Sequence, residues 1–405
     1  MIDTAIVVCP RDGLAEEALL GLDVAGLALL TRSLLTARQA GIGRLVVVAS
    51  AAQRRTLQRQ VAAEPRLDGC VDWADAAGDI EPRPPRSVVM IPFIILQADA
   101  LRAWRQRAEG VDGAAIPVGF DAGPWAVPSA LLAACVHAAR EGRAGLERFG
   151  EQVRSQGRLQ AVPWEGIDPE TIRSAGDVPA AERRMLRAQR SAEDGPIVDR
   201  FLNRTLSEPI TRFVVRWPVT PNQVSVLSLL TGLLGAWLLA HDGAATTLCG
   251  LLLFQFSVVL DHVDGEIARL KFQFSRLGKW LDNFSDHVVD LAVIGCVAWR
   301  VAAAGAAGSV AALGLAAAVG VTGSFQVVFW WSLGGRRDSV SEKARRSAKT
   351  LGSMANRDGF CLALWATLVA GRPAWFLWTL AIGSNIFWLA WLVLCGIPAR
   401  AKRSG

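Results

Sequence analysis

Between Asp261 and Asp286 the chain reads DHVDGEIARLKFQFSRLGKWLDNFSD, with four aspartates set in two pairs. Asp261 and Asp264 are three residues apart, and Asp282 and Asp286 are four apart. On a helix each spacing puts both carboxylates on one face. Two adjacent helices could therefore aim four carboxylates at one small volume, an arrangement that is costly beside a membrane unless a cation compensates it. All-oxygen ligands suit hard divalent ions such as Mg²⁺ or Mn²⁺, as one ion or two. Asp261, Asp264 and Asp282 can hold one ion, while Asp286 could bridge a second or act as a base. Gly265 and Ala268 share the face of the first pair and Gly278 that of the second, leaving the helix backbone open to a bulky ligand. Arg269 supplies a planar donor for phosphate oxygens. Together these suit pyrophosphate chemistry, in which leaving-group charge is neutralised and a nucleophile is held in line. The bland alternative is a solvated acidic loop.

All eight fixed positions of the pattern D-x2-D-G-x2-A-R-x8-G-x3-D-x3-D are present, at Asp261, Asp264, Gly265, Ala268, Arg269, Gly278, Asp282 and Asp286. The pattern resembles the signature of CDP-alcohol phosphotransferases, and TPNQVS (Thr220–Ser225) resembles the family's entry into its first span. The resemblance covers roughly residues 195–400. It implies an all-α six-helix transmembrane bundle, with the first three aspartates binding metal against the CDP pyrophosphate. Asp286 is then the catalytic base or shares a second metal. Asp261, Gly265, Ala268, Arg269, Gly278 and Asn222 line the CDP site. It further implies a CDP-alcohol donor, a small alcohol or phosphorylated polyol as acceptor, attack at the β-phosphate with release of CMP, and a homodimer. His262 and His287 lie about 100° round their helices from the neighbouring aspartates and are expected to be bystanders. Asp290 continues the second row one turn deeper, behind Asp286.

The elements that must position these residues are apolar. The 405-residue chain has a net charge of +6 and a mean hydropathy of +0.30, and the apolar residues concentrate after about residue 200. Six apolar segments run at about 221–240, 244–263, 281–302, 307–331, 358–371 and 374–396, most of them near the ~20 residues a span needs. Arg and Lys gather on alternate connections. The positive-inside rule then puts both termini and the aspartates on the cytoplasmic side of the inner membrane. Ahead of the first span, Phe201, Leu202, Leu206, Ile210 and Phe213 recur at helical spacing among arginines within Asp199–Trp217, the pattern of an interfacial helix. The basic loop Gly334–Arg357 reads as a positive-inside anchor, with Arg357 the one candidate for an acceptor phosphate. Basic residues beside apolar runs fit membrane lipids; without a stripe or a reading motif, no nucleic acid is expected. Seven scattered cysteines without a CxxC pair indicate neither a zinc site nor a disulfide framework.

Residues 1–165 read as an α/β domain with a parallel sheet, and 166–195 as a polar linker before the membrane domain at 196–400. The N-terminus has no basic region leading into an apolar core and cleavage site, so no signal peptide is expected and the first domain stays in the cytoplasm. Its strand–loop–helix opening and AGIGRLVVV resemble nucleotidyltransferase-like domains, which occur fused to CDP-alcohol phosphotransferases. The first loop, CPRDGLAEE, departs from the glycine-rich, basic loop of that family. No lysine precedes Lys271, and Asp99 is only a distant substitute for a metal-binding aspartate. A degenerate domain is therefore expected, with Arg11 the one residue that could reach a triphosphate. The competing readings are a cation-coupled transporter, against which the acids sit at one membrane face rather than the midplane, and a non-catalytic scaffold, against which the signature is intact.

Overall fold

The computed structural model describes residues 2–81, 84–120, 122–191, 202–333 and 357–396. Asp199 to Phe201, at the head of the expected interfacial helix, and 334–356 of the basic loop lie outside the described residues. The chain divides into two units, Met1–Ala188 and Gln189–Gly405.

The first unit is built on β1 (Thr4–Val8), whose five residues TAIVV are all buried, so both faces of the strand are covered. β1 pairs in parallel with β4 (Arg44–Val48), Thr4 opposite Arg44, and with β6 (Arg86–Met90), Ala5 opposite Val88. β4 pairs in parallel with β5 (Val71–Ala74), and β8 (Ala114–Pro117) with β10 (Leu159–Val162). β9 (Trp125–Pro128) runs antiparallel to both β6 and β8. The seven strands take the order β10-β8-β9-β6-β1-β4-β5, so the sheet is mixed rather than wholly parallel. The reason is local: the connection between β8 and β9 is too short for a crossover helix, and β9 must return antiparallel. Helices α1 (Leu29–Gln39), α2 (Ala51–Ala62), α3 (Ala98–Ala108), α4 (Ser129–Arg140) and α5 (Gly142–Ser155) make the intervening connections.

The stretch from 166 to 188, set aside as linker by composition, is folded into this unit. Strand β11 (Glu170–Thr171) pairs antiparallel with β7 (Ile94–Ile95). Glu182, buried on α6 (Val178–Ser191), accepts from the Ala25 backbone N–H at 3.0 Å. Its polar surface concealed these long-range pairings.

The second unit is helical: α7 (Arg204–Val214), α8 (Pro221–Leu239), α9 (Ala244–Leu270), α10 (Arg276–Val301), α11 (Ala307–Leu333), α12 (Arg357–Val369) and α13 (Pro373–Gly396). Among the described residues, five helical stretches are long and apolar enough to cross a membrane, at Pro221–Leu239, Ala244–Leu270, Arg276–Gly305, Ser309–Val327 and Pro373–Val393. The protein is thus an integral membrane protein. The expected fifth span is the 13-residue α12, below the length of the other five. Leu230, Leu234 and Trp237 of α8 and Trp375, Trp378 and Ile386 of α13 are exposed, as lipid-facing side chains should be. Phe254, Val293, Val297, Leu364 and Phe376 form the interior.

Helix α8 is the strut between the two aspartate helices. A Cβ on Gly235 would lie 2.8 Å from the Phe254 backbone nitrogen, and one on Gly232 would lie 2.7 Å from Val289 of α10. Small residues there let the three helices approach closely.

Helix α7 faces opposite to a soluble amphipathic helix. Leu202, Leu206 and Phe213 are exposed, whereas Asn203, Ser207 and Thr211, spaced by four, are fully buried. The apolar stripe is left for lipid and the polar stripe is satisfied inside the protein. Ser207 Oγ donates to Glu266 Oε1 at 2.8 Å and Thr211 Oγ1 to Glu266 Oε2 at 2.5 Å. Gln255 donates to Asn203 Oδ1 at 2.6 Å and accepts from Trp365 Nε1 at 3.2 Å, tying α7, α9 and α12 together. Removing the buried carboxylate orphans two buried hydroxyls. Glu266→Ala should lower stability by about 1–3 kcal/mol, read as a fall in the thermal midpoint in detergent, with Glu266→Gln milder. An unchanged midpoint in Glu266→Ala would mean that α7 is not docked through this contact.

Candidate metal and nucleotide site

The aspartates occupy the facing ends of α9 and α10, joined by a turn at Lys271–Ser275. Two features fix that turn. Lys271, buried, donates to the carbonyls of Trp217 at 2.7 Å and Val219 at 3.2 Å. Ser275 caps α10, accepting from the Gly278 N–H at 2.8 Å. Asp261 and Asp264 thus finish the second span and Asp282 and Asp286 begin the third.

Asp261, Asp264 and Asp282 each offer a ligand atom, and these atoms lie within 4.8 Å of one another. Three carboxylates this close, on two separate helices, are spaced to share one ion. Asp264 is buried, and Ser225 Oγ donates to its Oδ2. That bond enters from α8, so all three leading helices converge on the cluster.

Asp286 is engaged differently. Arg357 Nη1, from the first residue of α12, donates to Asp261 Oδ2 at 3.0 Å and to Asp286 Oδ1. The three side chains are largely withdrawn from solvent, 18% exposed for Arg357, 17% for Asp261 and 29% for Asp286. One guanidinium therefore bridges the metal-spaced cluster and the fourth aspartate. Its helix is held by Phe360, whose ring lies 5.8 Å from Phe254 and 5.2 Å from Phe376, and by the Trp365–Gln255 bond.

The small residues have tangible neighbours. A Cβ on Gly278 would sit 2.9 Å from Ser275 Oγ and 3.0 Å from Asn222 Oδ1, so the glycine admits both the cap and Asn222. At Gly265 the nearest atoms to such a Cβ are the guanidinium nitrogens of Arg269, at 3.5 Å. Arg269 thus lies over Gly265 one turn away. His287 stacks on Phe325 with ring centroids 4.6 Å apart and is 3.4 Å from Thr322 Oγ1. His262 and Ala268 are on the same helix as the first aspartate pair.

Sequence reading missed Ser225 as a direct partner of Asp264, although it closes the TPNQVS motif. It also missed the contact of Arg357 with two aspartates 71 and 96 positions away. Only the position of Arg357 at the head of an apolar run hinted at it.

In the first unit the loop after β1 is closed on itself. The Gly13 N–H donates to Glu17 Oε2 at 2.7 Å, and Gln53 donates to Glu17 Oε1 at 3.2 Å. The Gly13 bond, then the Gln53 bond, hold the Glu17 carboxyl below the usual carboxylate range. Arg11 Nη2 lies 3.2 Å from His137 Nδ1. Asp99, 88% exposed, pairs with Arg102 at 3.1 Å on the surface of α3.

Residues 218–396 match the family model described as CDP-alcohol phosphatidyltransferase. A bifunctional IPC transferase and DIPP synthase of Thermococcus kodakarensis is 34% identical over 148 residues, 35% of this chain and 30% of that protein. The protein of the same name from Aquifex aeolicus is 27% identical over 180 residues, 44% of this chain and 40% of its own length. The chain spans less than half the length of these curated relatives. The crystal structure of Mycobacterium tuberculosis phosphatidylinositol phosphate synthase with CDP-DAG bound aligns with a TM-score of 0.38 at 20% identity, covering 50% of this chain and 98% of that one. Residues 218–396 are thus a CDP-alcohol phosphatidyltransferase domain.

Proposed function

We propose that the chain is a divalent-metal-dependent CDP-alcohol phosphotransferase, moving a phospho-alcohol group from a CDP-alcohol to an acceptor alcohol with release of CMP. The observation that carries this reading is the convergence of Asp261, Asp264 and Asp282 within 4.8 Å, at the signature spacing, on the ends of two helices. Mg²⁺ or Mn²⁺ fits that donor set, since four carboxylates against the single Arg357 guanidinium leave an excess of negative charge that one divalent ion largely cancels. When bound, the ion would neutralise charge on the donor pyrophosphate and the departing CMP.

The remaining roles fall to the chain's own residues. Gly265 and Gly278 leave room for the cytidine nucleotide, with Ala268 and Asn222 beside them and Arg269 donating to a phosphate oxygen. Asp286 takes the proton from the acceptor hydroxyl. The acceptor oxygen bonds to the β-phosphorus, the bond from that phosphorus to the bridging oxygen breaks, and the electron pair leaves with CMP. Arg357 holds Asp286 and Asp261 in place and receives an anionic group of the acceptor. Relatives named DIPP synthase and phosphatidylinositol phosphate synthase favour a phosphorylated polyol such as inositol phosphate as that acceptor. The basic connections support a site and termini on the cytoplasmic side. A homodimer is expected on the resemblance alone.

The first unit is proposed to be a nucleotidyltransferase-like domain that no longer turns over CTP. Glu17 occupies the Gly13 N–H that a triphosphate oxygen would need, Arg11 is directed to His137, and Asp99 is paired on the surface.

Purified protein supplied with Mg²⁺ or Mn²⁺ should release CMP from CDP-diacylglycerol or a CDP-polyol in the presence of acceptor. Asp282→Asn should cut the rate by at least about a hundredfold, as expected for loss of a charge-stabilising ligand. Turnover unchanged by that substitution would sink the metal assignment. The same preparation, given CTP and inositol 1-phosphate, should form no pyrophosphate; formation of it would overturn the reading of the first unit.

A further inference from the structure

A cavity of about 480 Å³ opens beyond Asp286, between α10, α11, α12 and α13. Its charged lining is Asp286, Asp290 and Arg357, with Asn283, His287 and the hydroxyl residues Ser324, Thr379 and Ser384 as further polar groups; the rest is largely apolar. Two of these groups are unsatisfied. Among the described residues Asp290 Oδ1 is buried with no hydrogen-bond partner, and so are Nε and Nη2 of Arg357, whose Nη1 is spent on Asp261 and Asp286. A buried polar atom left unpaired costs about 1–3 kcal/mol, more when charged. An ionisable residue inside a span marks a functional site by default. Here an acceptor atom and two donor atoms that the fold leaves unpaired belong to side chains lining one cavity, one helical turn (about 5.4 Å of axis) past the residue proposed as base.

We infer that this cavity takes the acceptor alcohol and that Asp290 is a specificity-determining residue, accepting a hydrogen bond from a second hydroxyl of the acceptor while the open edge of Arg357 holds the acceptor's anionic group. The inference rests on the phosphotransferase reading and deepens it. Asp286 accepts the attacking hydroxyl. Asp290, four residues on along the same helix, is offset by a turn and meets a hydroxyl further along the molecule. A carboxylate has no proton to offer and repels phosphate, so the group it meets must be a donor. The acceptor is thereby narrowed to an anionic compound with at least two hydroxyls, a phosphorylated polyol, and a monohydric phosphate leaves Asp290 unpaired. Sites built to bond a substrate hydroxyl discriminate strongly against analogues lacking it.

The test measures CMP release from a CDP-alcohol donor with acceptors matched but for one hydroxyl: glycerol 3-phosphate against 3-hydroxypropyl phosphate, and inositol 1-phosphate against its monodeoxy analogues. Wild type should favour the polyhydric member of at least one pair by about ten- to a hundredfold in kcat/KM. Asp290→Leu should bring that ratio close to one by raising the acceptor KM, with the donor KM unmoved. Asp290→Asn, which keeps a carbonyl acceptor, should retain part of the ratio. A ratio preserved in Asp290→Leu overturns the inference, as does a joint rise of donor and acceptor KM in both variants, which would make Asp290 a structural counter-charge to Arg357. No CMP release by wild type from any donor would instead remove the phosphotransferase reading, and this inference with it.

Discussion

Electrostatic repulsion among Asp261, Asp264, Asp282 and Asp286 is the constraint from which the membrane unit can be understood. Carboxylates crowded at the ends of two spans are tolerable only if their surroundings supply positive charge and hydrogen-bond donors. Arg357 supplies one such charge, to Asp261 and Asp286. Ser225 supplies a donor to Asp264. The excess left over is what a divalent ion answers, and the 4.8 Å grouping of three ligand atoms has the size for it. The same repulsion explains why the scaffold is stiff: carboxylates that would push their helices apart need helices locked by close backbone contact.

That locking is visible at three places. Gly232, Gly235 and Gly250 bring α8 against α9 and α10. Lys271 pins the turn between the aspartate helices to the carbonyls of Trp217 and Val219. Glu266, two residues beyond Asp264, binds Ser207 and Thr211 of α7. Helix α7 therefore braces α9 through its polar stripe while its apolar stripe stays exposed. The chemistry and the membrane anchorage share one helix, α9.

Much of this was readable from the chain because local spacing carries it. The four aspartates, Gly265, Arg269 and Gly278 lie within 26 residues, and helical periodicity alone sets which of them share a face. Long apolar runs are equally local, so each expected segment falls on an apolar helix, although α9 runs on to Leu270, α10 starts at Arg276, and α12 is shorter than a span. Contacts between distant segments were not readable. Arg357 meets Asp261 across 96 positions, and nothing in a single sequence couples them. Helix α7 showed its apolar stripe, but not that Asn203, Ser207 and Thr211 would be the buried side, because burial of a polar stripe depends on Gln255 and Glu266 waiting on another helix. In the first unit the strands β1, β4 and β6 announced themselves as apolar runs. The antiparallel β9 and the pairing of β11 with β7 did not, since β9 has four residues and β11 two, and β7 lies far from β11 in the chain.

The central claim is that Asp261, Asp264 and Asp282 hold a divalent ion. Manganese is visible by anomalous scattering, so crystals of the protein grown with Mn²⁺ test it directly. The account predicts an anomalous peak within bonding distance of all three carboxylates and its loss in Asp264→Asn. A peak elsewhere in the membrane unit, or none at these aspartates with the ion present in excess, would contradict it.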